Sequence, residues 1–154
     1  MRHMCKALTK TNRHIVEGYY IRQEEVSYCF KDDADEHPDN IKHFIVFDRS
    51  IDWGLPNEHI KAEVDADTVC EAVSGLLTTG GRPLYEHDIV NIKTISYSFE
   101  KYEIIWNEKE CCFCGRKQLS SETEKLCDGF DLIRLSADWK YEYKGNTKTD
   151  VRTA

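Results

Sequence analysis

Three groups of residues carry side chains whose types and spacing could do chemistry. The first is Cys111-Cys112-Phe113-Cys114-Gly115-Arg116-Lys117. Cys111 and Cys114 have the two-residue spacing of a zinc knuckle, a glycine follows the second thiol, and Cys127 is a candidate third ligand. The sequence supplies no second Cys-x-x-Cys or Cys-x-x-His pair as a fourth ligand. On an extended strand, positions 111 and 114 also point to opposite faces. The expectation is therefore buried strand cysteines, no metal set and no cofactor, with a redox pair as the remaining chemistry.

The second group is Glu86-His87-Asp88. Neighbouring carboxylates in a cleft can split their pKa values and act as acid and base. On an extended chain Glu86 and Asp88 share one side and His87 takes the other. The reading preferred here is a turn, with Asp88 accepting from nearby amides just before Ile89-Val90. The third group is the acidic stretch from Lys31 to Asn40, with Asp32, Asp33, Asp35, Glu36 and Asp39. It lacks the turn glycine and the spacing of a calcium loop, and reads as a solvated loop. Thiols and six histidines are present, but no local motif links a nucleophile to a base. His43, inside an apolar run, reads as a satisfied core histidine. No catalytic residues are assigned.

The elements that must hold these residues are mostly strands. His14 to Gln23 and Ile41 to Phe47 are rich in β-branched and aromatic residues, and Val26 to Phe30 is a shorter apolar run. His59 to Val64 alternates. Asp65 is placed to cap a short helix over Ala66–Ala72. Leu76-Leu77 and Leu84-Tyr85 flank Gly80-Gly81, a hairpin turn that needs positive φ angles. Further strands are expected at Ile89–Ile92, Tyr102–Trp106, Cys111–Cys114, Phe130–Leu135 and Trp139–Tyr143. Ser120 to Cys127 reads as a short helix or loop. The expected fold is mainly β, one domain with a strand-rich part over 1–64, a small-barrel part over 65–143 and a fraying tail over 144–154.

Composition bounds the function. The chain has 154 residues and a net charge of -7, which disfavours a non-specific polyanion binder. No apolar run reaches the length of a membrane span. The seven cysteines are an odd number, three of them crowded into one tetrapeptide, which is not the spacing of a disulfide framework. Met1-Arg2-His3-Met4-Cys5-Lys6 lacks an apolar segment after its basic residues, so a secretion leader is not expected. Trp53, Tyr97, Phe99 and Trp106 would suit a small barrel that binds peptide or nucleic acid. Lys140, Lys144 and Lys148 are too sparse to form a basic stripe.

The segment Ser74 to Val90, with Leu84-Tyr85-Glu86-His87-Asp88-Ile89-Val90 at its end, resembles the signature of the YopX family of bacteriophage and prophage proteins. Val64 to Val69, Val16-Glu17-Gly18-Tyr19-Tyr20-Ile21, Tyr102 to Trp106 with Phe113, and Glu142-Tyr143-Lys144-Gly145-Asn146 are similar to its outer motifs. The family has glycine where this chain has His87, and asparagine where it has Gly80. The resemblance implies a YopX-like fold, a phage or prophage accessory role in a bacterial cytoplasm, and a homo-oligomer that contacts phage or host protein. It implies no site residues. The expected function is non-enzymatic assembly and protein contact. The alternative is a nucleic-acid-associated protein whose binding surface forms only in the oligomer.

Overall fold

The computed structural model describes residues 4–32, 36–50, 53–118 and 132–150. These residues form antiparallel sheets, with eleven strands and two 3-10 turns among them. The chain divides into two compact units, Met1–Val69 and Cys70–Ala154. Among the described residues no helix is long and apolar enough to cross a membrane.

In the first unit, β1 (Met4–Leu8), β2 (Ile15–Glu24), β3 (Ile41–Arg49) and β4 (Glu58–Glu63) pair in the order β4-β3-β2-β1. Strand alternation gives this sheet two different faces. Cys5, Ala7 and Ile45 pack with Val64, Val16, Phe47 and Val69 on the core face. Gly18 sits on that same face, where a side chain would collide with the Val46 carbonyl oxygen. At the end of the unit, Asp65 accepts from the Asp67 amide at 3.3 Å and Thr68 Oγ1 donates to the Asp65 carbonyl at 2.8 Å. Thr68 Oγ1 in turn accepts from the Leu8 amide at 2.9 Å, which pins the turn to β1.

In the second unit, β5 (Cys70–Leu77) and β6 (Pro83–Tyr85) form a hairpin. Then β7 (Asp88–Lys93), β8 (Ser98–Asn107), β9 (Cys112–Lys117), β10 (Leu132–Arg134) and β11 (Lys140–Asn146) form a sheet of order β10-β9-β8-β7-β11. The five-stranded order is linear. Thr78, just past β5, reaches β11 through a single parallel bridge to Tyr141. Val73, Leu76, Leu84, Val90, Ile92, Tyr102, Ile104 and Tyr141 make the core. Tyr141 is fully buried without being orphaned: its hydroxyl donates to the Ser136 carbonyl at 2.7 Å and accepts from the Ser136 amide at 2.9 Å.

Several expectations need correction. The helix expected over Ala66–Ala72 is one 3-10 turn, Ala66–Thr68, and Cys70 onward is strand. The Asp65 cap is present, but it closes only this one turn: Asp65 accepts from the Asp67 amide, and the backbone is already extended at Val69. Val26 to Phe30 is not a strand: Val26 and Phe30 are exposed, and Asn40 holds the Val26 backbone by two hydrogen bonds of 2.6 Å. Met4–Leu8 is a strand as well, outside the runs expected from the sequence, and pairs with β2. Lys144 to Asn146 continue β11 instead of fraying. Ser120 to Cys127 and Phe130 lie outside the described residues.

Candidate functional site

The Glu86-His87-Asp88 group lies in the tight turn between β6 and β7. Asp88 is fully buried. It accepts from the Tyr85 amide at 2.8 Å through Oδ2 and from Asn146 Nδ2 at 2.7 Å through Oδ1. Asp88 is thus the turn-fixing acid that the sequence suggested. Asn146 is a hub. Its Nδ2 also donates to the Glu86 carbonyl at 3.1 Å, and its Oδ1 accepts from the Lys148 and Thr149 amides at 2.9 Å each. Its own amide donates to Asp150 at 2.6 Å. The segment after β11 is tied to the turn by these bonds and by the Thr147 amide, which donates to the His87 carbonyl at 3.0 Å.

His87 takes φ 65°, the left-handed region where glycine is at ease. Its ring nitrogens face Glu103 and Glu86. His87 Nδ1 lies 3.0 Å from Glu103 Oε1, and Nε2 lies 3.9 Å from Glu86. Glu103 is itself nearly buried and also accepts from Arg116 at 2.9 Å and Thr147 at 3.1 Å. Burial raises the Glu103 carboxyl, but the hydrogen bonds from His87, Arg116 and Thr147 outweigh it and hold the group below its ordinary value. The carboxylate fixes the histidine ring as it would in a general-base dyad. Among the described residues no serine or cysteine is hydrogen-bonded to the other ring nitrogen. A shallow cleft of about 310 Å³, lined by Glu71, Glu86, Trp106 and Phe113, opens in this unit.

The cysteines are arranged differently from the zinc-knuckle spacing. Cys111 sits on the β8–β9 turn at φ 50°, exposed, with its thiol directed at the Glu108 carbonyl at 3.5 Å. Cys112 and Cys114 are two apart on β9 and share a face, with their sulfurs 3.7 Å apart. Glu110 joins them: its Oε2 lies 3.9 Å from Cys112 Sγ, and the three ligand atoms all lie within 4.8 Å of one another. Arg134 Nε donates to Glu110 at 2.9 Å. Burial pushes the Cys114 thiol up, and the adjacent Cys112 adds to this. The sequence signal for this trio was present as Cys-x-Cys, the spacing that puts both thiols on one side of a strand. Cys127 lies outside the described residues, as do Asp33 and Asp35 of the acidic loop. His43 is half-buried and bonded by the Tyr20 hydroxyl at 2.5 Å, so it has a partner in its sheet.

The outer face of the first unit's sheet is the feature that composition did not announce. Tyr19 pairs with Met4 on one side and Val46 on the other, and Ile21 pairs with Phe44. Met4, Tyr19 and Ile21 are 38%, 45% and 42% exposed, and Phe44 and Val46 are half-buried between them. Lys61 lies over the Phe44 ring at 4.0 Å and bonds Gln23. Along β3 the apolar pair is bounded by Lys42 at one end and Asp48 at the other. On β4, Lys61 stands opposite Val46 and Glu63 opposite Phe44.

The remaining aromatic residues do not share one surface patch by contact. Tyr97 and Phe99 pair at the start of β8, and Trp106 packs edge-on against Phe113 near its end. Trp53 is exposed in the first unit. Of the expected basic residues, Lys144 is paired with Glu142 at 2.6 Å. No known family model, curated protein or solved structure matches this chain.

Proposed function

We propose that the chain is a non-enzymatic assembly protein that pairs with a second copy of itself through the outer face of its first sheet. A contiguous exposed apolar face on a sheet marks an interaction surface. The observation that carries the choice of occupant is the charge pattern around it. Consider a two-fold axis lying in the face and crossing the strands. It stacks Tyr19 on the partner's Ile21 and Val46 on the partner's Phe44. The same operation sets Asp48 against the partner's Lys42 and Lys61 against the partner's Glu63. Both of these charge pairs are opposite in sign, which is the self-complementarity that an isologous interface requires.

Such pairing would cover apolar surface that water otherwise contacts, and aligned sheet packing about 10 Å apart is the ordinary geometry for it. The setting favoured for this assembly is the accessory role in a phage or prophage that the YopX resemblance implies, with contacts to phage or host protein built on the assembled form. Sedimentation velocity of the full chain at tens of micromolar tests it. The expected species has twice the 18.0 kDa chain mass, and Ile21→Lys shifts it to monomer while the far-UV circular dichroism is unchanged. A monomeric wild type, or a dimer indifferent to Ile21→Lys and Tyr19→Lys, overturns the reading.

A further inference from the structure

We propose that Glu110, Cys112 and Cys114 form an open three-ligand site for a thiophilic divalent ion of the zinc type. The site belongs to the β8–β9 hairpin and shares no residue with the assembly face. Its geometry carries the argument. Two thiolates bound to one tetrahedral zinc at about 2.3 Å stand about 3.8 Å apart. Cys112 and Cys114 already stand 3.7 Å apart. Their spacing is too long for a disulfide, whose sulfurs are about 2.0 Å apart. It is what a shared ion would require. The Glu110 carboxylate, 3.9 Å from Cys112 Sγ, supplies the third, harder ligand.

The hairpin presets these positions. Cys112 pairs with Asn107 and Cys114 with Ile105 across β8–β9, so the strand fixes both thiols on one side. Glu110 lies on the turn that leads into the strand. Two thiolates and a carboxylate around a divalent ion carry one net negative charge. The Arg134 guanidinium, bonded to Glu110 at 2.9 Å, offsets it from outside, as second partners of metal ligands commonly do. Binding displaces the thiol protons to solvent, so affinity rises with pH. The trio leaves a fourth tetrahedral position for water. Cys111, whose thiol is turned to the Glu108 carbonyl, is excluded from the set.

The test uses the full chain, reduced and stripped with a chelator, then titrated with cobalt(II) and back-titrated with zinc. Thiolate-to-cobalt charge-transfer absorption reports sulfur ligation, and native mass spectrometry reports the count. One ion per chain is expected. The absorption is lost in Cys112→Ser, binding weakens at least about tenfold in Glu110→Gln, and Cys111→Ser binds as the wild type does. Cys112 and Glu110 are not fully buried, so both variants keep the fold and circular dichroism verifies it. No sulfur-to-cobalt band at micromolar metal overturns the site. So does a band that survives Cys112→Ser or disappears in Cys111→Ser.

Discussion

Asn146 donates from Nδ2 to Asp88 Oδ1 at 2.7 Å, joining two buried side chains that are 58 residues apart. This bond connects the turn Tyr85–Asp88 to the end of the last strand. Asp88→Ala would leave the Tyr85 amide without this acceptor and would remove one of the two acceptors of Asn146 Nδ2. Each buried donor left unpaired costs about 1–3 kcal/mol, so a total loss of about 2–6 kcal/mol is expected for the two. Asn146→Asp is nearly isosteric but sets an acceptor against the Asp88 carboxylate, and should destabilise at least as much. Urea unfolding followed by circular dichroism measures both. A midpoint within error of the wild type for Asp88→Ala would remove this bond from the account.

Glu103 gives the fold an acid-sensitive element. Its carboxyl is held below the ordinary value by His87, Arg116 and Thr147 in spite of its burial. A depressed folded-state pKa contributes stability that is complete above the unfolded value, about 4.3. That contribution is lost as pH falls through the lower folded value. Glu103→Gln should therefore lower stability at neutral pH by about 1–3 kcal/mol, the range for hydrogen bonds to a charged group. It should also flatten the fall in stability below about pH 4. Urea midpoints measured from neutral pH down to about 2 decide it. A variant whose acid slope matches the wild type would show that another carboxylate governs that limb.

Two glycines are expected to be intolerant for different reasons. At Gly18 a Cβ would meet the Val46 carbonyl oxygen and come within 3.0 Å of Ile45 Cγ2 and Phe47 Cβ. Gly18→Ala should cost about 1–3 kcal/mol by overpacking between β2 and β3. Gly81 has φ 77° and open space around it, so Gly81→Val meets no neighbour and pays only backbone strain, about 1–3 kcal/mol. Gly81→Asn separates the two cases, because asparagine tolerates the left-handed region. It should recover most of the loss in thermal stability at 81, and no such rescue is expected from Gly18→Asn. Equal losses for Asn and Val at position 81 would contradict the turn assignment.

Much of this architecture was legible in the sequence where local chemistry and tertiary demand agree. Ile41 to Phe47 and Tyr102 to Trp106 are β-branched and aromatic, and both are strands. Gly81 does adopt the positive φ that the hairpin asked of it, whereas Gly80 does not. Asp88 fixes its turn through the Tyr85 amide. The failures lie where one element depends on a distant one. Met4–Leu8 carries a lysine among its buried residues and becomes a strand by pairing with β2. Cys70–Leu77 hides its alternation behind Gly75. Asn146 is polar and near the end of the chain, and nothing local marks it as the hub for groups from Glu86 to Asp150. The Cys-x-x-Cys spacing points to position 111, which lies on the turn at φ 50°. Strand geometry brings 112 and 114 together.

The self-pairing proposed for the outer face makes a prediction that burial alone would not. If the interface is isologous, Lys42 of each copy faces Asp48 of the other, and a single charge reversal is felt twice. Lys42→Asp sets like charges together at both ends and should weaken the dimer about tenfold or more, since opposed like charges cost up to several kcal/mol. Adding Asp48→Lys restores the alternation of signs and should return most of the affinity. Neither change touches the apolar residues between. Lys42 is also bonded to Glu25 at 2.5 Å and Asp48 to His59 at 2.5 Å, so each single variant is checked for unchanged monomer unfolding. Sedimentation equilibrium across a protein dilution series gives the dissociation constants. Rescue in the double variant identifies the partner of Lys42 as Asp48 of a second copy. Additive weakening in the double variant would mean the two residues never meet, and the two-fold arrangement would be wrong.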